Sequence, residues 1–541
     1  MTDPRPGETA QKRTWSERID DVVGFFSPER AMRRKTFRQV IRIGASYFQG
    51  ARKNRLTYNW ATGQESADTA IYSDLQILRD RSRDLNRNNS IASGITTTVC
   101  VNVIETGITP QSRIDTKNGF IDPDKAKAFQ SQAEAIWQKW GPWADASRRL
   151  TIDEIQALAV RQILESGEFL ATRRALKPER GRPYMLCLDI IEPDRLGGIG
   201  AAALDANTRY GITSNEHGEP TVYHILKTHP GDILFPGARA GEVVKVAATD
   251  RDGRPNVFHI FPVLRPGQTR GIPFFAPVIE MFKHMADYLE ATIVQARIAA
   301  CFAAFIKTEN AYASAFGNTE STDSNAKRLE AFEPGMVEYL RPGESVELAK
   351  PEAPATTFAM FTEQLLRMIG ASLGLPYELV LKDFSKTNYS SARAAMLQAY
   401  RVFKIMQQMI INHLLQPLWE LLLEEAWLRG ELIAPSFNKY RWNYARCVWI
   451  PPGWQWVDPM KEAQANKLSV QMGFKTRGDV CAEQGEDWEE KAEQAAREKE
   501  KYEELGLPWE GMGDKAAQPG KPAYQNQGPD GNEEKDNAET E

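Results

Sequence analysis

Cysteine is scarce in this chain of 541 residues: Cys100, Cys187, Cys301, Cys447 and Cys481 lie far apart, odd in number and without a C-x-x-C pair. That excludes a disulfide scaffold and a cysteine zinc site, and it fits reduced thiols in a protein made in a cytosol. Long apolar runs are missing too. The most apolar stretch, Ile293 to Ile306, is interrupted by Gln295 and Arg297, and the opening MTDPRPGETAQKRTW has no apolar signal core, so neither membrane spanning nor secretion is expected. Nucleotide-binding and hydrolytic signatures are likewise lacking. Gly520-Lys521 has neither the upstream glycine nor the following hydroxyl of a phosphate loop, and no H-E-x-x-H, H-x-E with C-x-x-C, or G-x-S-x-G occurs. The six histidines, His217, His224, His229, His259, His284 and His413, read as unpaired structural residues, since four of them fall within predicted strands or helices. Glu424 and Glu425 are adjacent on a helix and so do not face one another; a hydrolase whose two carboxylates meet only in the fold stays open. The expectation is a chain with no catalytic residues, no cofactor and no metal.

What is present is a large apolar content and an uneven charge. With 42% hydrophobic and 10% aromatic residues at this length, the chain buries a sizeable core and holds several sub-domains. Net charge is only −5, yet Arg30 to Arg55 carries nine basic residues and no acid. Such an arm contacts phosphate or an acidic neighbour, or is simply solvated, and both readings are open. From Glu483 onward 18 acidic residues face 7 basic ones, and the last thirty residues are rich in Gly, Pro, Gln and Asn, which predicts a disordered acidic tail that repels nucleic acid.

Patterning along the chain predicts an α+β, mostly helical fold. Ser73 to Gly94 reads as a helix crowded with Arg79, Arg81, Arg83 and Arg87, and Thr96 to Thr106 as a β-branched strand. Helices are expected at Asp124 to Trp140 and Ile152 to Ser166, then strands at Glu168 to Arg174, Tyr184 to Ile191, Thr221 to Leu226, Glu242 to Ala248 and Asn256 to Phe261. Trp137, Trp140 and Trp143 read as packing residues, because only Lys139 supplies charge among them. Pro273 and Pro277 suit a first helical turn, and Ala276 to Ile306 then runs without a breaker as a rod of about 46 Å. A second helix is expected at Thr356 to Leu373, with a small module inserted between the two rods.

A polar loop, Leu381 to Tyr389, then carries Lys382, Asp383, Phe384, Ser385, Lys386, Thr387 and Asn388 straight into a very long helix. Asn388 or Ser390 can cap that helix, and Pro417 should kink it near Gln416. Residue types alone favour a surface loop ahead of a core helix over a nucleic-acid contact.

Five segments in order, RSRDLNRNNSIASG (81–94), RPGQTRGIPFFAP (265–277), EPGMVEYLRPGESV (333–346), GLPYELVLKDFSKTNYSSARAA (374–395) and WVDPMKEAQA (456–465), resemble the lambda-type portal proteins of tailed bacteriophages. The resemblance implies a non-enzymatic homo-oligomeric ring, a dodecamer at one capsid vertex of the virion. Double-stranded DNA would pass through it without sequence preference, in by way of a terminase motor and later out. It further implies contact with the terminase large subunit, major capsid and scaffold proteins and head-tail joining proteins, and synthesis in the host cytoplasm. Mapped on this chain, residues 1–60 form the basic arm, 61–275 the wing, 276–306 and 356–375 the stem helices, and 307–355 an α/β clip. Residues 376–429 form the tunnel loop and long kinked helix, 430–507 a helical crown, and 508–541 the acidic tail. Lys382 and Lys386 would track phosphates while Phe384 and Tyr389 pack at the loop base, and Trp442, Trp449, Trp454 and Trp456 would pack in the crown. Two other classes remain: a nucleic-acid enzyme of a packaging apparatus, and a capsid or scaffold protein through which no DNA passes.

Overall fold

Three helices open the described chain, α1 (Ala67–Ile71), α2 (Leu75–Asn88) and α3 (Ser90–Val103), and the third occupies the β-branched run expected as a strand. Asn89 causes this: its backbone turns extended and its side-chain oxygen accepts from the amides of Ile91 and Ala92, stopping one helix and capping the next. Thr97 and Thr98 then spend their hydroxyls on carbonyls four residues back, while Ala92, Ile95, Thr96, Val99 and Val103 form a buried stripe. Helical burial therefore overrides β propensity here. The computed structural model describes residues 63–116, 121–178, 181–197, 207–232, 242–300, 304–308, 344–348, 357–454 and 459–507. The chain divides into Met1–Ser66 and Ala67–Glu541, and every described helix and strand belongs to the second unit. The basic arm, the acidic tail, Cys301, Trp456 and most of the inserted module lie outside the described residues.

Strand β1 (Thr109–Ser112) leads to α4 (Pro123–Trp140) and α5 (Ile152–Ser166). Thr151 and Glu154 close a capping box at the start of α5, and left-handed Gly167 ends it. Seven strands follow: β2 (Phe169–Ala175), β3 (Leu186–Ile191), β4 (Thr208–Arg209), β5 (Ile212–Ser214), β6 (Pro220–Leu226), β7 (Val243–Ala247) and β8 (Val257–Ile260). They make two antiparallel sheets, ordered β3-β2-β8 and β4-β5-β6-β7. Alternation along β2 divides the first sheet between two cores. Phe169 and Ala171, with Leu188, Phe258 and Ile260, enter the main helical core; Leu170, Ile191 and Val257 enter a smaller core against Ile212, Tyr223 and Ile225 of the second sheet.

A short 3₁₀ turn at Ala276–Val278, with Pro277 in its first turn, starts α6 (Ile279–Ala300). The expected rod to Ile306 is shorter: 22 residues, or about 33 Å, because Ala304–Thr308 forms β9, paired with β10 (Glu344–Leu348). Helix α7 (Thr357–Leu373) lies beside α6, with Tyr288 stacked on Phe358 at 5.6 Å. A one-turn helix α8 (Tyr377–Leu381) then precedes α9 (Tyr389–Ile410) and α10 (Gln416–Leu428). The expected single long helix is interrupted by a π turn at Ile411–Leu415, directly before Pro417. The wider turn makes room for the proline ring and its missing donor.

Helix α11 (Phe437–Tyr444) and β11 (Cys447–Ile450) return to the body, where β11 pairs with β1. Trp137 is the hub of this joint, with its ring 5.1 Å from Trp140, 5.9 Å from Trp419 and 5.5 Å from Trp449. Trp143 is half-buried under Arg148. Trp454 stacks on Tyr400 at 4.0 Å, as packing was expected to place it, whereas Trp442 is 81% exposed. The last helices, α12 (Pro459–Gln471), α13 (Arg477–Glu483) and α14 (Trp488–Glu504), bury no residue. Cys100, Cys187, Cys447 and Cys481 are free thiols. Among the described residues no helix is long and apolar enough to cross a membrane.

Candidate functional site

The polar loop is a closed turn. Its floor is α8, where Leu379 and Val380 are buried, and it begins where Lys382 turns left-handed at φ 58° to end that helix. Asp383 accepts from the Ser385 amide at 2.9 Å, and these hydrogen bonds from Ser385 hold its carboxyl below the ordinary value. Thr387 donates its hydroxyl to Phe384 O at 3.0 Å, and Asn388 caps α9 by accepting from Ser391 N at 2.9 Å. Each polar side chain of the turn except the lysines is therefore engaged in shaping it. Of the two alternative caps, Asn388 is the one used.

The lysines differ. Lys386 Nζ lies 2.8 Å from Glu363 Oε2 on α7, and Glu363 Oε1 takes a second cation, Arg367, at 2.7 Å. The hydrogen bond from Lys386 lowers the Glu363 carboxyl and, reciprocally, raises the Lys386 amine. Arg367 in turn lies over the Tyr377 ring at 5.1 Å. Lys382 is exposed and makes no ion pair among the described residues, with Asp383 and Glu378 included. Phe384, expected against the loop base, is 42% exposed. The Tyr389 side chain lies outside the described residues.

Among the elements expected to form the wing is a buried polar knot of α2, the end of α5, β2 and the 270–271 segment that the sequence reading missed. Glu168, fully buried at the mouth of β2, accepts from Arg79 Nη2 at 2.7 Å, from Arg270 Nε at 2.8 Å and Nη2 at 2.5 Å, and from Gly271 N at 2.7 Å. Burial alone would raise this carboxyl, but Arg270 and Arg79 together hold it well below the ordinary carboxylate range. Arg270 also donates to the carbonyls of Pro193, Leu196 and Tyr210, and Arg79 to that of Ser166. The knot thus joins α2, the end of α5, β2 and the 265–277 segment. Gly167 and Gly271 cross so closely there that a Cβ on Gly271 would run into the Gly167 carbonyl. A charged residue opening the apolar strand FLATRRA was the available signal.

The histidines are not all unpaired as expected. His259 Nε2 is 3.2 Å from Glu168, because the strand alternation that buries His259 points it at the knot. His224 meets Thr213 at 3.0 Å. His229 gathers with Glu192 and Asp194, the one triad of its kind among the described residues, but Arg83 already bonds both carboxylates. The His229 Nδ1 accepts from Gly231 N, and its Nε2 lies 3.4 Å from Glu192 and 4.0 Å from Asp194. Glu424 and Glu425 are structural: the first binds Arg254 at 2.7 Å, the second accepts from the amides of Met185 and Leu186.

Residues 53–407 match the model of the family described as phage portal protein, lambda family. The chain is 26% identical over 469 residues to the probable portal protein of Halomonas phage phiHAP-1, covering 85% of this chain and 88% of that protein. It is 25% identical over 476 residues to portal protein B of Escherichia phage lambda, covering 83% and 88%. Among solved structures it resembles a chain of the native gene transfer agent virion, with a TM-score of 0.39 and 13% identity over 84% of this chain and 98% of that one. Another likeness, to a chain of the native particle's neck computed with C12 symmetry, has a TM-score of 0.39, 14% identity and coverage of 79% and 93%. Both structural likenesses are too loose to carry any detail of this chain. The matched span takes in the buried knot, the paired helices and the whole polar loop, and on it the chain belongs to the lambda family of phage portal proteins.

Proposed function

We propose that the chain assembles into a ring, a dodecamer, at one capsid vertex of a virion, and that double-stranded DNA is packaged and ejected through its centre. Residues 61–275 serve as the wing, 276–306 and 356–375 as the stem, 307–355 as the clip, and 430–507 as the crown. Segment 376–429 supplies the tunnel loop and the long helix behind it. The terminase large subunit docks first and head-tail joining proteins later, while major capsid and scaffold proteins surround the ring. The protein is a passive conduit and not an enzyme; the energy comes from the motor, which accords with a sequence that has no phosphate-binding loop.

One observation carries the loop's part in this reading: a turn closed by its own side chains stands at the head of α9 and presents an exposed Lys382 that makes no ion pair among the described residues. A conduit must hold DNA weakly and without reading bases. Firm neutralisation of many phosphates would trap it, since each contact adds affinity that falls by about 0.9 in log K per decade of salt. One mobile cation per subunit, repeated by symmetry, meets that need.

The test is Lys382→Ala. Ring yield and melting should stay at the parental level, because an exposed loop substitution shifts stability by no more than about 0.5 kcal/mol. DNA retained per filled capsid should fall several-fold. Parental retention in capsids carrying normal mutant rings would remove Lys382 from the DNA path.

A further inference from the structure

We propose that Glu363 is a positioning residue that withholds Lys386 from DNA, so that each subunit offers one phosphate-seeking cation and keeps a second latched to α7. This rests on the reading of 382–388 as the DNA-facing loop and goes beyond it by giving the two lysines different roles. The geometry separates them. Lys386 reaches back 2.8 Å to a carboxylate whose side chain is only 13% exposed, although the lysine itself is 66% exposed. Glu363 is fixed from its other side by Arg367, one helical turn along α7, so the carboxylate stays in place whether or not the lysine does.

A latch of this kind is weak by construction. Exposed ion pairs contribute little to stability and are screened by salt, so a phosphate arriving at the loop competes with Glu363 for Lys386 on nearly equal terms. The pair therefore limits grip without blocking it. Were Glu363 neutral, every subunit would present two free cations on one short turn, and the contacts would accumulate around the ring. The bore would then bind where it should let DNA slide.

Assembled rings of Lys382→Ala, Lys386→Ala, Glu363→Gln and the Glu363→Gln/Lys386→Ala double variant should be compared for binding of a short blunt double-stranded DNA across a salt series. Glu363→Gln should bind more tightly than the parent at low salt. Its log affinity should fall more steeply with log salt, by about 0.9 for each freed Lys386 that engages a phosphate. Lys386→Ala should bind slightly more weakly than the parent, and the double variant should return to the level of Lys386→Ala. Glu363→Gln with parental affinity and slope, or a gain that survives in the double variant, would overturn the latch. If Lys382→Ala weakens binding while Glu363→Gln changes nothing, the latch alone has failed; if Lys382→Ala is silent, the loop reading has failed and the latch with it.

Discussion

Replacing Glu168 with Ala should destabilise the body by about 3–5 kcal/mol, the cost of stranding one side of a buried ion pair. The full cost applies because two guanidinium groups, those of Arg79 and Arg270, lose their anion together, and neither side chain is more than 3% exposed. The Gly271 amide loses its acceptor as well. Glu168→Gln keeps the shape and removes the charge, so it should recover part of the loss but not most of it. Since the folded-state value of Glu168 lies below the unfolded one, its contribution is fully present above about pH 4.3 and disappears as the pH falls through the lower folded value. Denaturant titrations should therefore show the parent losing stability on acidification through this range more steeply than Glu168→Gln. Equal acid sensitivity in the two proteins would assign the knot no electrostatic role.

Trp137→Ala should be nearly as damaging, at about 3–5 kcal/mol for a large buried aromatic. Trp137 is 3% exposed and touches Trp140 on its own helix, Trp419 on α10 and Trp449 on β11, so its removal opens a cavity where three distant segments meet. Its loss should loosen the β1–β11 pairing, and with it the tether of α12 to α14, which bury nothing themselves. Limited proteolysis should then cut between 445 and 459 well before the main core is attacked. Cleavage distributed as in the parent would mean that the C-terminal helices are held by other contacts.

Local pattern was legible wherever one element decides its own burial. The strands over 168–174, 184–191, 221–226, 242–248 and 256–261 each appear within a residue or two of their expected limits, because alternation and flanking Gly, Pro and Asp act locally. The run from Thr96 misled because its threonines satisfy their hydroxyls within a helix, and the choice was made by the apolar stripe meeting α5 and α9. The end of α6 was hidden because Ala-rich ARIAACFAAF carries no breaker; pairing with β10, roughly forty residues on, sets where the strand starts. For the candidate site, the loop's place ahead of the long helix and its two candidate caps, of which Asn388 is used, followed from the sequence. The engagement of Lys386 did not, since Glu363 lies 23 residues away on another helix. The same holds for Glu168, whose partners stand 89 and 102 residues off, so that no local pattern marks them.

The most direct test of the channel assignment is an electron cryomicroscopy reconstruction of the purified assembled protein, viewed and averaged down its symmetry axis. The account predicts a closed ring with a central hole, in which the turn from Lys382 to Asn388 forms the narrowest constriction and the Lys382 amines point into the bore. A ring with that turn on its outer perimeter, or a closed shell without an axial opening, would contradict it.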